Sequence, residues 1–322
     1  QVSLEIELAE TGAKIRVGEE DFLWDAETEN LADGYKNGLK RFLYRTLSKV
    51  TGQKLPWGNL TGIRPTKIAY GMLDEGRSDA EILDFMEQSH YVSEEKALLG
   101  IDIAKRERDL LKEIHYEGGY SLYIGIPFCP TTCLYCSFTS YPIAAFRRQV
   151  DAYVDAVIKE MDYVAENFKD KVLDTVYIGG GTPTTLAPDS LTVHSLAIKR
   201  ASRLNQWIQE NGVSMLHNTD ETMKIAAAGA EKLGMKPYYL YRQKNMSGNF
   251  ENTGYARPGK YGLYNILIME EKQTIVALGA GSITKRVFPD GRIERCDNVK
   301  DVGLYIEKID EMIERKKELF AE

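Results

Sequence analysis

The chain has few of the features that mark membrane, secreted or zinc-binding proteins. Its 322 residues include four cysteines and four histidines. No apolar run approaches the roughly 20 residues that a membrane span requires, and the first residues do not form a signal peptide. Four cysteines in so long a chain also argue against a disulfide framework, because such scaffolds are short and rich in cysteine. We therefore expect a soluble cytoplasmic protein without a membrane span.

Positive charge is also in short supply, with 41 lysines and arginines against 48 acidic residues and a formal net charge of -7. A broad nucleic-acid surface normally needs a basic excess. We expect no nucleic-acid partner, although a local basic patch is compatible with this balance. A hydrophobic share of 43% and a charged share of 28% are ordinary for a globular protein, and the length allows two domains.

Three of the four cysteines stand close together, as Cys129, Cys133 and Cys136. Their Cys-x3-Cys-x2-Cys spacing favours one iron–sulfur cluster that is held by three thiolates and leaves one iron open to a small molecule. A zinc site or a set of buried thiols is the alternative. Structural zinc normally takes four ligands in two pairs, whereas the remaining cysteine is the distant Cys296 and no histidine is near the loop in sequence.

The N-terminal part, residues 1–116, is predicted to be an α+β accessory domain. Alternation over residues 2–17 indicates a β-hairpin, and helical spacing recurs over residues 29–50. Gly52 is expected to end that helix. Further helices are predicted over residues 66–75, 79–89 and 93–115.

A βαβ unit follows, with a strand over residues 121–128, a helix over 144–168 and a strand over 173–178. The second strand runs into Gly179-Gly-Gly-Thr. The loops of this unit leave the carboxyl ends of the strands, where α/β folds bind ligands. A further strand is predicted over residues 190–198.

The last part, residues 206–322, is predicted to be a C-terminal α+β domain. The patterns indicate a helix over residues 221–233 that Gly234 ends, a strand over 238–242, a polar loop over 251–265, a buried strand over 274–281 and a charged terminal helix over 301–320.

Several segments between residues 121 and 305 together resemble one protein family. The cysteine run after Tyr123 and the run Val176-Tyr-Ile-Gly-Gly-Gly-Thr-Pro-Thr are the specific ones. The weaker ones are Leu191-Thr-Val with Ala197, Tyr255-Ala-Arg-Pro-Gly with Asn265, Leu278-Gly-Ala-Gly-Ser-Ile, and Asn298 before Tyr305. They resemble the oxygen-independent coproporphyrinogen III oxidase family of radical S-adenosylmethionine (SAM) proteins. Leu60-Thr-Gly-Ile-Arg-Pro-Thr-Lys resembles its HemZ branch, the coproporphyrinogen dehydrogenases.

This resemblance implies a 4Fe-4S cluster on the three clustered cysteines and S-adenosyl-L-methionine at the open iron. A reduced flavodoxin or ferredoxin-type protein would donate the electron, and cleavage of SAM would release a 5'-deoxyadenosyl radical. Core packing, or a tight turn for the glycines, is the alternative role of the residues that match the SAM contacts. These are Tyr123, Tyr135, Gly180, Gly181, Thr182, Ala197 and Ile283.

The resemblance also implies a (β/α)6 barrel, of which residues 117–205 supply only about half. The predicted strand at 190 follows too soon for a parallel crossover, which needs a dozen or more residues and usually a helix. About three barrel units of roughly 30 residues each are therefore inferred to be missing near residues 186–188. A compact degenerate barrel is the alternative.

In function, the resemblance implies oxidative decarboxylation of coproporphyrinogen III propionates to vinyl groups in haem biosynthesis. Two departures bear on this: Phe138 stands where proven oxidases have a further cysteine, and Gly125 where many members have histidine. A haem chaperone, or another radical reaction on a tetrapyrrole such as anaerobic haem degradation, therefore stays open. Lys199, Arg200 and Arg203 are candidate carboxylate anchors, and a solvated helix start fits them equally well.

Overall fold

The computed structural model describes residues 4–26, 34–62, 64–131, 136, 138–180, 189–195, 203–212, 219–242 and 246–321. The strands are β1 (Leu4–Ala9), β2 (Gly12–Val17), β3 (Glu20–Asp25), β4 (Gly119–Gly125), β5 (Phe128–Cys129), β6 (Tyr141–Pro142), β7 (Val172–Gly179), β8 (Ser190–Val193), β9 (Lys236–Tyr241), β10 (Asn252–Ala256), β11 (Thr274–Leu278), β12 (Ile283–Val287) and β13 (Ile293–Asp297). The helices are α1 (Tyr35–Thr51), α2 (Thr66–Asp74), α3 (Asp79–His90), α4 (Glu94–Leu110), α5 (Ile143–Phe146), α6 (Val150–Asn167), α7 (Arg203–Asn211), α8 (Asp220–Lys232), α9 (Leu263–Glu270), α10 (Val302–Glu307) and α11 (Ile309–Phe320). The chain thus combines helices with several sheets, which confirms the prediction of a mixed α/β chain.

The N-terminal strands form an antiparallel meander in which β2 is central. The predicted hairpin is confirmed over its described part, and β3 adds a strand that was not predicted. α1 packs on this sheet through Phe42, whose ring stacks on Trp24 with centroids 6.1 Å apart. Gly52 ends α1 at a φ of 68°, as predicted, because glycine adopts this left-handed conformation without strain.

Helices α2 to α4 share their core with the second half of the chain. The predicted helices are confirmed to within a few residues, apart from the end of α4, where a short 3-10 turn follows. Trp57 and Met86, both fully buried, belong to the same apolar cluster as Leu240 of β9 and Ile266 of α9. Residues far apart in sequence therefore build one core at this junction.

The main sheet has five strands in the order β13, β12, β11, β4, β7. β4 pairs in parallel with β7 on one side and with β11 on the other, and the register aligns Ile124 with Ile178 and with Leu278. The carboxyl ends of three strands therefore meet at one edge. α6, α10 and α11 cover one face of the sheet, where Leu122 and Val157 pack together. The predicted terminal helix is divided into α10 and α11.

β8 does not belong to this sheet, which differs from the expectation that residues 190–198 contribute a strand to the partial barrel. Instead Ser190 lies opposite Ala256, and β8 runs antiparallel to β10 in a separate sheet of order β8, β10, β9. Apolar Leu191 and Val193 alternate with polar residues in this segment. Such alternation is typical of an antiparallel strand, whereas strands inside a parallel sheet have nearly continuous apolar runs. The main sheet also draws three strands from residues 206–322, and the domain division stays a prediction.

The prediction of a polar loop over residues 251–265 is also wrong, because this segment contains β10 and the start of α9. All five residues of β10 are buried. The Asn252 side chain finds a partner there: its Oδ1 atom accepts a hydrogen bond from the Ser195 backbone N–H at 2.8 Å. Gly254 is needed because a Cβ there would lie 1.8 Å from the Tyr239 ring. A polar composition therefore concealed a buried strand.

β7 lies at the edge of the main sheet and exposes apolar side chains. Val176 is 55% and Ile178 69% exposed, although they share the α6 side of the sheet with Leu122 and Ile124 by register. Unprotected apolar edges of this kind are uncommon in folded proteins, because they invite pairing with another strand. None of the helices that the structure describes combines the length and the apolar character that a membrane crossing demands.

Candidate functional site

The loop that carries the clustered cysteines is closed at its base by a short strand ladder. β5 and β6 pair in parallel and set Cys129 opposite Pro142. The Tyr141 N–H donates to the Pro127 carbonyl at 2.8 Å, and the Tyr141 hydroxyl donates to the Lys300 carbonyl at 3.2 Å. The two ends of the loop are thus fixed at the carboxyl edge of the main sheet.

Two of the three predicted cluster ligands lie within the described residues. Cys129 is buried at 8% exposure, and Cys136 is half-buried with its Sγ atom 4.0 Å from the Phe138 carbonyl oxygen. Both are free thiols. Cys133 and Tyr135 lie outside the described residues. Within the described part of the loop and its surroundings, no three metal-ligating side chains form a group that could hold an ion.

Cys296 belongs to a different part of the molecule from the cysteine loop. It lies on β13, opposite Thr284 of β12, and is buried. Burial raises the pKa of its thiol, against a smaller opposing effect of the Lys316 charge. Cys296 is therefore held as a neutral thiol, and its exclusion from the ligand set stays a prediction.

Glycines allow the loops that follow β4, β7 and β11 to touch through their backbones. At Gly180, with a φ of 77°, a Cβ would lie 2.4 Å from the Ile126 carbonyl oxygen. At Gly279, with a φ of 97°, it would lie 2.4 Å from the Gly125 carbonyl oxygen. The Ile126 N–H also donates to the Gly179 carbonyl at 2.8 Å. Only glycine fits these close approaches; Gly181 and Thr182 lie outside the described residues.

Gly125, which stands where many family members have histidine, is closely surrounded by other atoms. A Cβ at this position would lie 3.2 Å from the Leu278 carbonyl oxygen and 3.2 Å from the Tyr123 ring. A histidine here would require its neighbours to shift. The glycine therefore matches its surroundings in this chain.

Tyr123 forms an aromatic wall beneath the glycine loop. Its ring stacks with those of Tyr177 and Tyr264 at centroid distances of 6.0 and 5.8 Å, and the last two rings are 4.6 Å apart. Burial raises the pKa of the Tyr123 hydroxyl above its ordinary value. The phenol stays protonated at neutral pH and can donate a hydrogen bond beside Gly179.

The remaining predicted contacts are less closely tied to this edge. Ile283 begins β12 directly after the glycine turn and is 46% exposed. Ala197, Lys199 and Arg200 lie outside the described residues. Arg203 is the first residue of α7, and its side chain is not described.

Two polar residues of α6 reach the same edge, and the sequence analysis missed both. The Tyr153 hydroxyl donates to the Gly125 carbonyl at 2.7 Å and accepts from the Ala280 N–H at 3.0 Å. Glu160 is fully buried and accepts from the Gly279 N–H at 2.9 Å. The signal was a glutamate on the apolar stripe of the helix, seven residues after Tyr153.

Glu160 has four donors, of which one is a cation. The Lys316 ammonium lies 2.5 Å away, with both side chains 0% exposed, and the Asn298 amide donates at 2.9 Å. The Tyr305 hydroxyl donates to the other carboxylate oxygen. Asn298 and Tyr305, which belong to the weaker part of the family resemblance, therefore both contact Glu160.

Comparison with known proteins gives matches across most of the chain. It is 27% identical to the oxygen-independent coproporphyrinogen-III oxidase-like protein HemZ of Bacillus subtilis, over 87% of this chain and 80% of that protein. The predicted family resemblance is confirmed. No family model matches the chain, and no solved structure gives a significant match.

Shorter matches extend the resemblance to two other kinds of haem-related protein. The heme chaperone HemW of Bacillus subtilis is 42% identical over 147 residues, which is 41% of this chain and 38% of HemW. The oxygen-independent coproporphyrinogen III oxidase of Pseudomonas aeruginosa is 35% identical over 22% of this chain and 15% of that enzyme. The relatives thus include a chaperone and an oxidase.

Proposed function

We propose that the chain is a radical SAM enzyme whose Cys129, Cys133 and Cys136 hold a 4Fe-4S cluster. The support is the anchored loop that carries Cys129 and Cys136 at the carboxyl edge of the sheet, together with the thiolate chemistry that such clusters require. When bound and reduced, the cluster and SAM would supply a carbon-centred radical. The protein itself would bind and orient the cofactor and the substrate, and it would exclude water from the site.

The residues around this edge suit a SAM-binding role. Gly180 leaves backbone groups uncovered beside the cysteine loop, so a ligand can approach them closely. Tyr123 offers a protonated hydroxyl and an aromatic face. We include Tyr135, Gly181, Thr182, Ala197 and Ile283 in the proposed SAM site because they match the family pattern. A reduced flavodoxin or ferredoxin-type protein is the proposed electron donor.

The proposed substrate is coproporphyrinogen III, whose propionates would be decarboxylated oxidatively to vinyl groups. The match to HemZ over 87% of the chain carries this proposal. The test is anaerobic incubation of reconstituted protein with SAM, reductant and coproporphyrinogen III, followed by mass analysis. Two successive losses of 46 Da, roughly the mass of carbon dioxide plus two hydrogens per propionate, are expected. Cleavage of SAM with no change in the porphyrinogen mass would overturn the substrate but not the cofactor.

A haem-binding chaperone is the second candidate function. It is favoured by the 42% identity to HemW and by Phe138, which is 75% exposed where proven oxidases of the family have a further cysteine. A chaperone would bind haem stoichiometrically and yield no vinyl product. A Phe138→Cys variant that gains decarboxylation would assign the difference to this position.

We further propose that the full protein has a β/α segment between β7 and β8 in sequence, and that this segment continues the main sheet beyond β7. The exposed Val176 and Ile178 support this, as does an exposed stripe of α6 formed by Val154, Ile158 and Met161. The alignment to HemZ spans 401 positions but only 87% of this chain, so about 120 positions have no counterpart here. The protein isolated from its own cells should then exceed 36.4 kDa; an intact mass at that value would refute the missing segment.

A further inference from the structure

The glycine turn after β11, Gly279 to Gly281, packs directly against Thr139. Thr139 lies on the outgoing limb of the cysteine loop, the part that follows Cys136. A Cβ on Gly281, whose φ is 72°, would lie 2.3 Å from the Thr139 Oγ1 atom. The Gly281 N–H donates to the Val299 carbonyl at 2.8 Å, and the next residue, Lys300, accepts from the Tyr141 hydroxyl. The turn and the limb therefore share one packed contact, and a shift of either moves the other.

The incoming limb of the cysteine loop is held from the same turn. The Tyr153 hydroxyl joins the Gly125 carbonyl to the Ala280 N–H, and the Tyr153 ring meets the Phe128 ring edge-on with centroids 5.2 Å apart. Phe128 directly precedes Cys129. Both limbs of the loop are thus held by contacts that involve the turn at Gly279 to Gly281.

The turn itself is fixed by Glu160. Its carboxylate accepts from the Gly279 N–H, and the Asn298 amide that donates to Glu160 also donates to the Gly279 carbonyl at 3.0 Å. Lys316 completes the arrangement, since its ammonium also donates to the Asn298 Oδ1 atom at 2.8 Å. Both carboxylate oxygens of Glu160 and the Lys316 ammonium are therefore engaged, with each other, with the Gly279 N–H, with Asn298 or with Tyr305.

We infer that Glu160 is a positioning residue for the cysteine loop and acts through the Gly279–Gly281 turn. It makes no hydrogen bond to any of the three described cysteines, Cys129, Cys136 and Cys296. Its role is to keep Cys129 protected and in place before any metal arrives. The inference rests on the proposed function only for what the loop binds, because the contacts that carry it lie within the protein chain.

The test measures the alkylation rate of each cysteine in reduced, metal-free protein with iodoacetamide and peptide mass mapping. Glu160→Gln replaces an acceptor with an amide that cannot accept from all four donors. We expect Cys129 to react about tenfold faster, because local opening governs the reactivity of buried groups. Lys96→Met breaks the other fully described buried ion pair, with Glu251, and should change the Cys129 rate less than about twofold.

The Cys129 alkylation rates of the wild type and the variants are compared at urea concentrations that give each protein the same free energy of unfolding. A general loss of stability then does not contribute to the difference between the rates. Equal acceleration in both variants, or none in Glu160→Gln, would overturn the inference. If Glu160→Gln does not fold, Tyr305→Phe keeps the ion pair and removes one donor, and the Cys129 rate should then rise about two- to threefold. No rise in that variant would count against the role of Glu160.

A second measurement separates this inference from the proposed function. Iron per chain and the electron paramagnetic resonance line shape are recorded after anaerobic reconstitution. Glu160→Gln should bind less iron and give a broadened signal, while Lys96→Met should match the wild type. If the wild type binds no iron, the proposed cluster fails, but the thiol reactivities still decide the role of Glu160.

Discussion

Two buried ion pairs serve different regions of this molecule. Glu160 and Lys316 are 0% exposed and lie beneath the candidate site, whereas Lys96 and Glu251 are 6% and 3% exposed and lie between α4 and the start of β10. The partners are 156 residues apart in one pair and 155 in the other. Both pairs thus connect the first half of the chain with the second.

The difference lies in what the carboxylate holds besides its lysine. Glu160 accepts from the backbone of Gly279, while Glu251 accepts from the side chain of Trp57, at 2.8 Å. The Glu160 pair therefore contacts the backbone of the turn after β11. The Glu251 pair instead connects the segment before β10 with Trp57 and α4. Isolated buried ion pairs are poor evidence of stability, so their additional hydrogen bonds decide what each pair does.

The largest effect is expected from Lys316→Met. It leaves the Glu160 carboxylate buried without a cation, which should lower the free energy of unfolding by about 3–5 kcal/mol. Urea unfolding measures this loss. The double variant Glu160→Gln, Lys316→Met should recover much of the loss, because no buried charge remains. A loss below about 1 kcal/mol for the single variant would show that Glu160 is solvated.

Trp57→Phe tests the other region with a smaller change. The indole N–H that donates to Glu251 is lost, while the aromatic packing is largely kept. We expect a loss of about 1–3 kcal/mol in the free energy of unfolding and no change in the reactivity of Cys129. An altered Cys129 rate would mean that the two regions are coupled.

Tyr305→Phe should have a smaller effect again, of about 0.5–1.5 kcal/mol. It removes one of the four donors to Glu160 and leaves the ion pair with Lys316 in place. Thermal and urea unfolding should agree on this loss. A loss as large as that of Lys316→Met would mean that the hydroxyl, and not the ammonium, is the main partner.

Glu107 sharpens the comparison, because it is a buried carboxyl without a lysine. Burial, and next the charge of Glu270, raise its pKa well above the ordinary value, against a smaller effect of Arg64. A raised pKa in the folded state means that stability is complete below the unfolded pKa of about 4.3 and falls as the pH rises. Glu107→Gln should therefore raise the urea midpoint at pH 7, and this gain should vanish near pH 4.

Glu81→Gln is the control, because the pKa of Glu81 is shifted in the opposite direction from that of Glu107. Glu81 is exposed and caps α3 through Ser78, and this hydrogen bond lowers the pKa of its carboxyl. Its contribution is present at neutral pH and is lost as the pH falls. A gain for Glu81→Gln at pH 7, or a loss for Glu107→Gln, would contradict the two assignments.

Apolar periodicity and turn glycines were enough to predict most elements. The helices α1 to α4, α6 and α8 follow repeating apolar positions, and Gly52 and Gly234 end their helices at positive φ. Such signals are local, so a single sequence contains them. The parallel pairing of β4 with β7 likewise follows from a βαβ unit.

What the sequence could not provide was the set of polar partners brought together by folding. β10 was missed because Asn252 and Thr253 are polar, and Asn252 becomes compatible with burial only through Ser195, 57 residues away. Glu160 was passed over for the same reason, because its lysine is 156 residues distant. The cysteine spacing was visible, but the anchoring of its loop by Lys300 and Gly281 was not.

The ladder between β5 and β6 has a thermodynamic consequence for metal uptake. In small zinc domains the metal must supply the free energy that orders its ligands, so the apo-protein is unfolded. Here the base of the cysteine loop is already closed by Cys129, Pro142 and Tyr141, and the entropy of closing it is contributed by the rest of the fold. If the loop holds the proposed cluster, we therefore expect a chelator to remove its iron without unfolding the chain, so that loading can be repeated on the same folded molecule.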